Sequence, residues 1–440
     1  MAGGRTLRGA GVTLSTLLAF TQRARLRILA ASSLTHLVGI LSVFVPLRVY
    51  LSLKHGIVPE GDGVVETGIA LGQVWRGDLT FEQFTADGIA ATFLTERSTQ
   101  LLYPFLISFQ QLIGWSIETH LLALNTLLGV LLVVASYLVA LRVHDRCYAL
   151  LVALLMCSLT PLYWIARFGI VDNLFYAMLP VFALFVIGWL RHKSGKQLVL
   201  VVLAGVALAF TRPEAMLVIL FVMLVFIWNA LGRYLSPRAA TGVLLLSVTT
   251  AAAGAVVVVG SRPSLQRQLL SRSHVAWGLV MSANTLLNRG TVEYNRVQDR
   301  YVEVLAEERL VGDELAYRMS TDALAVIKNN PWWYVLKIPL RGLALLFPWT
   351  YQPWSLPHVL YEAVYTIFLT GGLLLLIRRA RADMRLLVLA AIPLAIWTFL
   401  SAYGIDNDLK HRNGILVGLN LVAPLGYFLT PRARSRAGRG

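Results

Sequence analysis

The chain has 440 residues, of which 57% are hydrophobic and 14% charged, and a formal charge of +16. Its mean hydropathy of +0.66 excludes an ordinary water-soluble domain, whose surface needs more polar residues, and marks an integral membrane protein. Nucleic acid is excluded as a partner: the arginines and lysines sit in short clusters between apolar runs, as membrane orientation and anionic lipid require, and form no continuous basic surface.

The N-terminal segment carries Arg5, Arg8, Arg23, Arg25 and Arg27 without an acidic residue, which places it on the cytoplasmic side. Residues 10 to 20 are apolar but short, and are expected to lie at the interface. Hydrophobic runs then occur at 28–51, 121–141, 148–166, 174–190, 197–211, 215–231, 240–260, 356–377, 386–403 and 414–430. Each must satisfy its backbone inside the bilayer, so the expected fold is all-α and polytopic, with about ten crossings, and a β-barrel is disfavoured. The first run is long and lacks a clear cleavage site, so no cleavable leader is expected.

Basic clusters at Arg142 and Arg146, at Arg191, Lys193 and Lys196, at Arg233 and Arg238, at Arg378 to Arg385, and at Arg432 to Arg439 all fall on one side under this count. Both termini are therefore expected in the cytoplasm of a multi-pass protein of the plasma or inner membrane. Cys147 and Cys157 lie at the start of a span and within it, and read as packing residues.

This pattern divides the chain into three regions: 1–260 with a first external loop at 52–120, an extracytoplasmic segment at 261–355, and 356–440 with three spans and a basic tail. The first loop holds an amphipathic stretch at 64–75 and an apolar stretch at 101–114, too short to cross comfortably. The segment 261–355 is the main polar stretch and is expected to cap the outer face with helices. Its aromatic end, from Asn330 to Trp349, reads as interfacial, although a crossing at 331–350 would invert the orientation of the C-terminal spans.

The polar residues gather on the outer side. Glu60, Asp62 and Glu66 come after the first span, Arg167 and Asp172 link the third and fourth, and Arg212 and Glu214 link the fifth and sixth. Lys410, His411 and Arg412 precede the last span. Turns are polar in any protein, and arginine with carboxylate often simply joins helix ends. Gly61 and Gly63, however, free the backbone around Asp62 to bring a carboxylate to a ligand. Such a carboxylate can deprotonate an acceptor hydroxyl, while arginines and a lysine can hold a phosphate leaving group. The trio Glu60, Asp62 and Glu66, with His55 nearby, also has the oxygen-rich character that suits a divalent cation. No other cofactor is indicated.

The stretches 61–70, Leu102-Tyr103-Pro104-Phe105-Leu106, Arg167 to Asp172 and Arg212-Pro213-Glu214 together resemble the GT-C class of polyprenyl-phosphate-sugar-dependent glycosyltransferases. The branch they resemble includes the protein O-mannosyltransferases and the lipid A aminoarabinose transferase. The resemblance covers about 30–230. It implies a GT-C-like fold with extracytoplasmic juxtamembrane helices and an inverting sugar transfer from a polyprenyl-phosphate donor to a lipid, polysaccharide or protein acceptor. It also implies that Asp62 is the base, in motifs that hold Glu66, Tyr103, Arg167, Asp172, Arg212 and Glu214. The residues themselves add Glu60 as a further catalytic carboxylate, and Lys410, His411 and Arg412, beyond the stretch of resemblance, as further substrate-binding candidates. The family's second acidic residue after the aspartate is absent, Gly63 standing there, and a common tyrosine is replaced by Glu66. The competing function is a transporter or flippase of a lipid-linked or anionic solute, which would place its charges near the bilayer midplane.

Overall fold

The structure, a computed structural model, describes residues 28–59, 63–86, 100–159, 165–284, 292–308, 312–346, 356–379, 383–403 and 409–429, together with residues 26, 163 and 310. The expected interfacial helix at 10–20, the N-terminal arginines, the C-terminal basic tail, Glu60 and Asp62 lie outside them.

Among the described residues the protein is helical, with a single isolated parallel bridge between Val58 and Phe168 and no strand. The first helix, α1 (Ser33–His55), begins at Ser32, whose hydroxyl accepts from the Thr35 N–H at 3.1 Å. Two helices of the first loop come next, α2 (Val64–Arg76) and α4 (Leu102–Ile113), with the short α3 (Phe81–Ala86) between them. The next set is α5 (Ile117–Val143), α6 (Arg146–Ser158), α7 (Asp172–His192), α8 (Gly195–Ala209), α9 (Pro213–Leu231) and α10 (Pro237–Gly260). Ser116, Asp145 and Ser194 cap α5, α6 and α8, and Pro213 opens α9 where its missing N–H costs nothing. These starts are local: each arises from one capping side chain and the apolar run after it.

The polar segment forms α11 (Pro263–Leu270), α12 (Ser273–Asn284), α13 (Val292–Glu308) and α14 (Gly312–Asn329). It has a small core of its own that includes Val280, Tyr301, Met319 and Ala323. The helices α15 (Pro331–Leu346), α16 (Leu356–Arg379), α17 (Met384–Tyr403), α18 (Leu409–Val422) and the short α19 (Leu425–Phe428) complete the chain.

Six described helices are long and apolar enough to cross a membrane: α1, α5, α7, α9, α16 and α17. The protein is thus a multi-pass α-helical membrane protein. One expected span is shorter than its apolar run. Helix α6 ends at Ser158, where Leu159 turns extended, and further on the carbonyls of Ala166 and Ile165 are taken by Asn125 of α5 and Asn173 of the adjoining α7.

Helix ends alternate between the two ends of one bundle. His36, early in α1, meets the Tyr137 hydroxyl late in α5 at 3.0 Å, whereas Arg48, late in α1, donates to the Asn125 carbonyl early in α5 at 3.1 Å. Tyr361 at the start of α16 donates to the Ser158 carbonyl at the end of α6, and Tyr148 at the start of α6 donates to Leu421 at the end of α18, both at 2.6 Å. Arg385 at the start of α17 and Leu184 late in α7 both meet Arg142, late in α5. One end therefore collects Arg142, Arg146 and Arg385, and the other collects the starts of α7, α9 and α18. A single apolar core joins helices from both halves of the chain, from Ile40 and Phe44 to Val417 and Leu421.

The two first-loop helices pack on each other through glycines. A methyl group at Gly68 would stand 2.7 Å from Ile107, and one at Gly72 would stand 2.7 Å from the Ser108 carbonyl. Trp75 meets Phe105 and Phe109 edge-on at the same contact, with centroids 5.2 and 5.3 Å away.

Helix α15 is inverted in character. Trp332, Leu336 and Leu343 face outward, while Lys337 and Arg341 are buried. Lys337 Nζ donates to the Ala283 carbonyl at 2.8 Å and Arg341 Nη1 donates to Ser282 Oγ at 3.1 Å. Two cations thus close the C-terminal end of α12, where unpaired carbonyls carry partial negative charge. At sixteen residues α15 is about 24 Å long, below a bilayer's roughly 30 Å hydrocarbon core.

Candidate active site

The turn between α6 and α7 is the centre of the site. Val58 donates to the Arg167 carbonyl at 2.9 Å, and Gly169 donates back to the Val58 carbonyl at 3.2 Å. The chain leaving α1 is thereby tied to this turn at the start of the first loop. The beginning of α2 abuts the same turn, since any side chain at Gly169 would strike Val65 of α2. Gly63, with φ +76°, supplies the left-handed residue from which α2 starts.

Asn125 of α5 organises the interior of the junction. Its amide donates to the carbonyls of Ala166 at 2.8 Å and Phe168 at 3.0 Å, and its Oδ1 accepts from the Tyr103 hydroxyl at 2.7 Å. Asn173 adds a bond to Ile165 O at 3.1 Å. Tyr103 is fully buried, and burial pushes its phenol well above the usual range, so it stays a neutral donor. Its environment includes the charges of both Arg48 and Asp172.

The charged part of the site is a triad across two turns. Arg212, the N-cap residue of α9, donates through Nε to Glu214 Oε2 at 3.1 Å and through Nη2 to Glu214 Oε1 at 2.9 Å. Its Nη1 pairs with Asp172 Oδ1, which also accepts from the Tyr176 hydroxyl at 3.2 Å. All three charged residues are buried. Burial acts to lower the Arg212 pKa, but the two carboxylates overcome it and hold the guanidinium charged.

Arg167 differs from Arg212. It is half-buried, lies over the Phe168 ring at 4.8 Å, and donates to the His55 carbonyl at 2.8 Å. It is the arginine of the predicted set with reach toward solvent. The sequence expectation gives Arg212 to phosphate, but its three nitrogens are engaged by carboxylates, which gives it the geometry of a clamp between α7 and α9.

Arg412 sits at the same end of the bundle. It is 1% exposed, donates from Nη1 to Glu362 Oε2 at 2.7 Å, and donates from Nε to the Leu345 carbonyl at 2.9 Å. Gly414, just after it, packs against Phe175 beside the triad. Lys410 and His411 lie in the first turn of α18, with side chains outside the described residues. Glu66 is exposed in the first turn of α2. The cation-binding expectation for Glu60, Asp62 and Glu66 rests mostly on residues outside the described set; among the described residues no cluster of His, Cys, Asp and Glu is suited to a metal.

Sequence reasoning missed Arg48, Asn125, Glu362, Lys337 and Arg341. Arg48 and Glu362 are ionisable residues within apolar runs, and that is the signal that finds them, since a charge inside a membrane helix needs a partner. Lys337 and Arg341 lie in the aromatic segment read as interfacial, where a charge gives no such signal. Asn125 carries no such signal. No family model matches the chain, and no curated protein does.

Proposed function

We propose that this protein is a membrane-embedded glycosyltransferase that takes a sugar from a polyprenyl-phosphate donor and delivers it, with inversion, to an acceptor at the extracytoplasmic face. The observation that carries the reading is the meeting of three turns, distant in sequence, at one end of the bundle. They are the two flanks of the 59–63 segment, the Arg167 to Asp172 turn and the Arg212-Pro213-Glu214 turn. Ten crossings, α1, α5 to α10 and α16 to α18, account for the alternation of helix ends. The arginine-rich opposite end is then cytoplasmic.

In this reading Asp62 takes the proton of the acceptor hydroxyl, from within about 3 Å. The acceptor oxygen bonds to the anomeric carbon as the carbon–phosphate oxygen bond breaks on the opposite face, and the polyprenyl phosphate leaves with the electron pair. Arg167 faces that phosphate, because it is the arginine that combines a fixed backbone anchor with access to solvent. Asp172, Arg212 and Glu214 position the two turns and touch no substrate.

The test is sugar transfer by purified protein in vesicles from a panel of polyprenyl-phosphate sugars, comparing wild type, Asp62→Asn and Arg167→Ala. Loss of turnover in Asp62→Asn and weakened donor saturation in Arg167→Ala are expected. Transbilayer movement of the donor with no covalent transfer by wild type would instead make the protein a flippase.

A further inference from the structure

The bundle end opposite the turns brings two guanidinium groups of different helices together. Arg142 lies in the last turn of α5 and Arg191 in the last turn of α7, and the charge of Arg191 repels that of Arg142. Two other arginines of this end are answered within the protein, Arg385 by Asp383 at 2.7 Å and Arg146 by the Leu29 and Ala31 carbonyls at 2.7 and 2.9 Å. Among the described residues no carboxylate pairs with Arg142 or Arg191.

Arg142 is half-buried, and its Nη1 donates to the Leu184 carbonyl at 2.7 Å. No described residue bonds its Nε or Nη2, and neither is sealed from the surface. Arg191 is exposed, and no described residue bonds its side chain. Gly188, one turn before it, makes room for the approach, since a methyl group there would stand 2.7 Å from Arg142 Nη1. Like charges held side by side with open donors call for an anion.

The depth of the pair says which anion. Asp172 and Arg191 stand about 29 Å apart along the axis of α7, close to the roughly 30 Å of a hydrocarbon core. With Asp172 at one boundary, Arg191 lies at headgroup depth on the other. Gln197 of α8 borders the same space, its Oε1 3.0 Å from that methyl position, and the next residues, Leu198 and Val199, are 45% and 57% exposed. A phosphate that reaches both arginines thus stands beside a surface that faces acyl chains. Phosphatidylcholine would also bring a quaternary ammonium to two cations, whereas an anionic lipid brings none.

We propose that Arg142 and Arg191 form a headgroup site for an anionic glycerophospholipid, whose phosphodiester oxygens accept from both guanidinium groups while its acyl chains lie along the exposed face of α8. The bound lipid ties the ends of α5 and α7 by replacing a like-charge contact with charge-assisted hydrogen bonds. The assignment needs only that α5 and α7 cross the bilayer, and it does not rest on the transferase reading.

The experiment is native mass spectrometry of the full chain, delipidated in a neutral detergent and titrated with phosphatidylglycerol or phosphatidylcholine. Phosphatidylglycerol is expected to bind saturably and more tightly than phosphatidylcholine, and Arg191→Gln should weaken it at least about tenfold, as loss of a hydrogen bond to a charged group requires. Arg378→Gln, which removes another exposed arginine of the same end, from α16, should change it less than about twofold, because salt screens charges farther apart than a Debye length. Excess inorganic phosphate should not displace the lipid. Undiminished affinity in Arg191→Gln, an equal loss in Arg378→Gln, equal binding of the two lipids, or displacement by inorganic phosphate would each overturn the assignment. Arg142→Gln should repeat the loss, and the comparison stands without it if removing the Leu184 bond prevents folding.

Discussion

Replacing Arg212 by glutamine tests the account of the triad most directly. The guanidinium makes three contacts to two carboxylates in a cluster no more than 8% exposed at any of its charged residues. Removing one partner of a buried ion pair costs about 3–5 kcal/mol, because the remaining charge is left without compensation. Here two carboxylates are stranded by one substitution, so the loss should lie toward the upper end of that range. Glu214→Gln leaves Arg212 and Asp172 as a balanced pair and should cost less. The double variant should be more stable than the sum of the single losses requires, by about 1–3 kcal/mol. Reversible unfolding by SDS in bicelles, followed by circular dichroism, measures each value. An Arg212→Gln protein within about 0.5 kcal/mol of wild type would refute the clamp, since surface substitutions behave that way.

Asn125→Leu should destabilise by about 1–3 kcal/mol for the Ala166 carbonyl it leaves unbonded, while Phe168 keeps a longer bond from Asn173 at 3.4 Å, and limited proteolysis should show faster cleavage at 165–170. Tyr103→Phe is the milder control at the same hub, losing about 1 kcal/mol in the same unfolding assay. Gly72→Val should push α4 away from α2, at about 1–3 kcal/mol, and a cysteine pair placed across that contact should then fail to crosslink. At the opposite end, burial would raise the Asp383 pKa, but Arg385 outweighs it and holds the group below its ordinary 3.8. Its contribution is therefore present above that value and lost as pH falls through the depressed one, so the stability gap between wild type and Asp383→Asn should close under acid, and a gap constant down to pH of about 2 would contradict the pairing.

Much of the helix inventory is legible residue by residue. Ser32, Ser116, Asp145, Ser194 and Pro213 stand immediately before or at the start of apolar runs and open helices there, and Gly63 and Gly114 stand where the backbone turns left-handed. Those signals act over three or four residues, within the reach of one side chain to a nearby N–H. The end of α6 shows where they fail. Its apolar run continues to residue 166, but α6 ends at Ser158 with Leu159 extended, and the carbonyls of Ile165 and Ala166 are bonded by Asn173 and by Asn125 from another helix, partners that the run itself does not announce.

Composition and apolar periodicity alone determined that the chain is an α-helical membrane protein, because a bilayer leaves unpaired backbone no solvent to bond with. The polar turns could also be found in sequence, and their gathering at one end comes from counting crossings. Tertiary structure alone decided which charge answers which: Arg212 holds Asp172 from 40 residues away, Arg412 holds Glu362 from 50 residues away, and Arg48 reaches Asn125 across 77. Coulombic attraction and desolvation depend on distance in space and on burial, and neither is written in the order of residues.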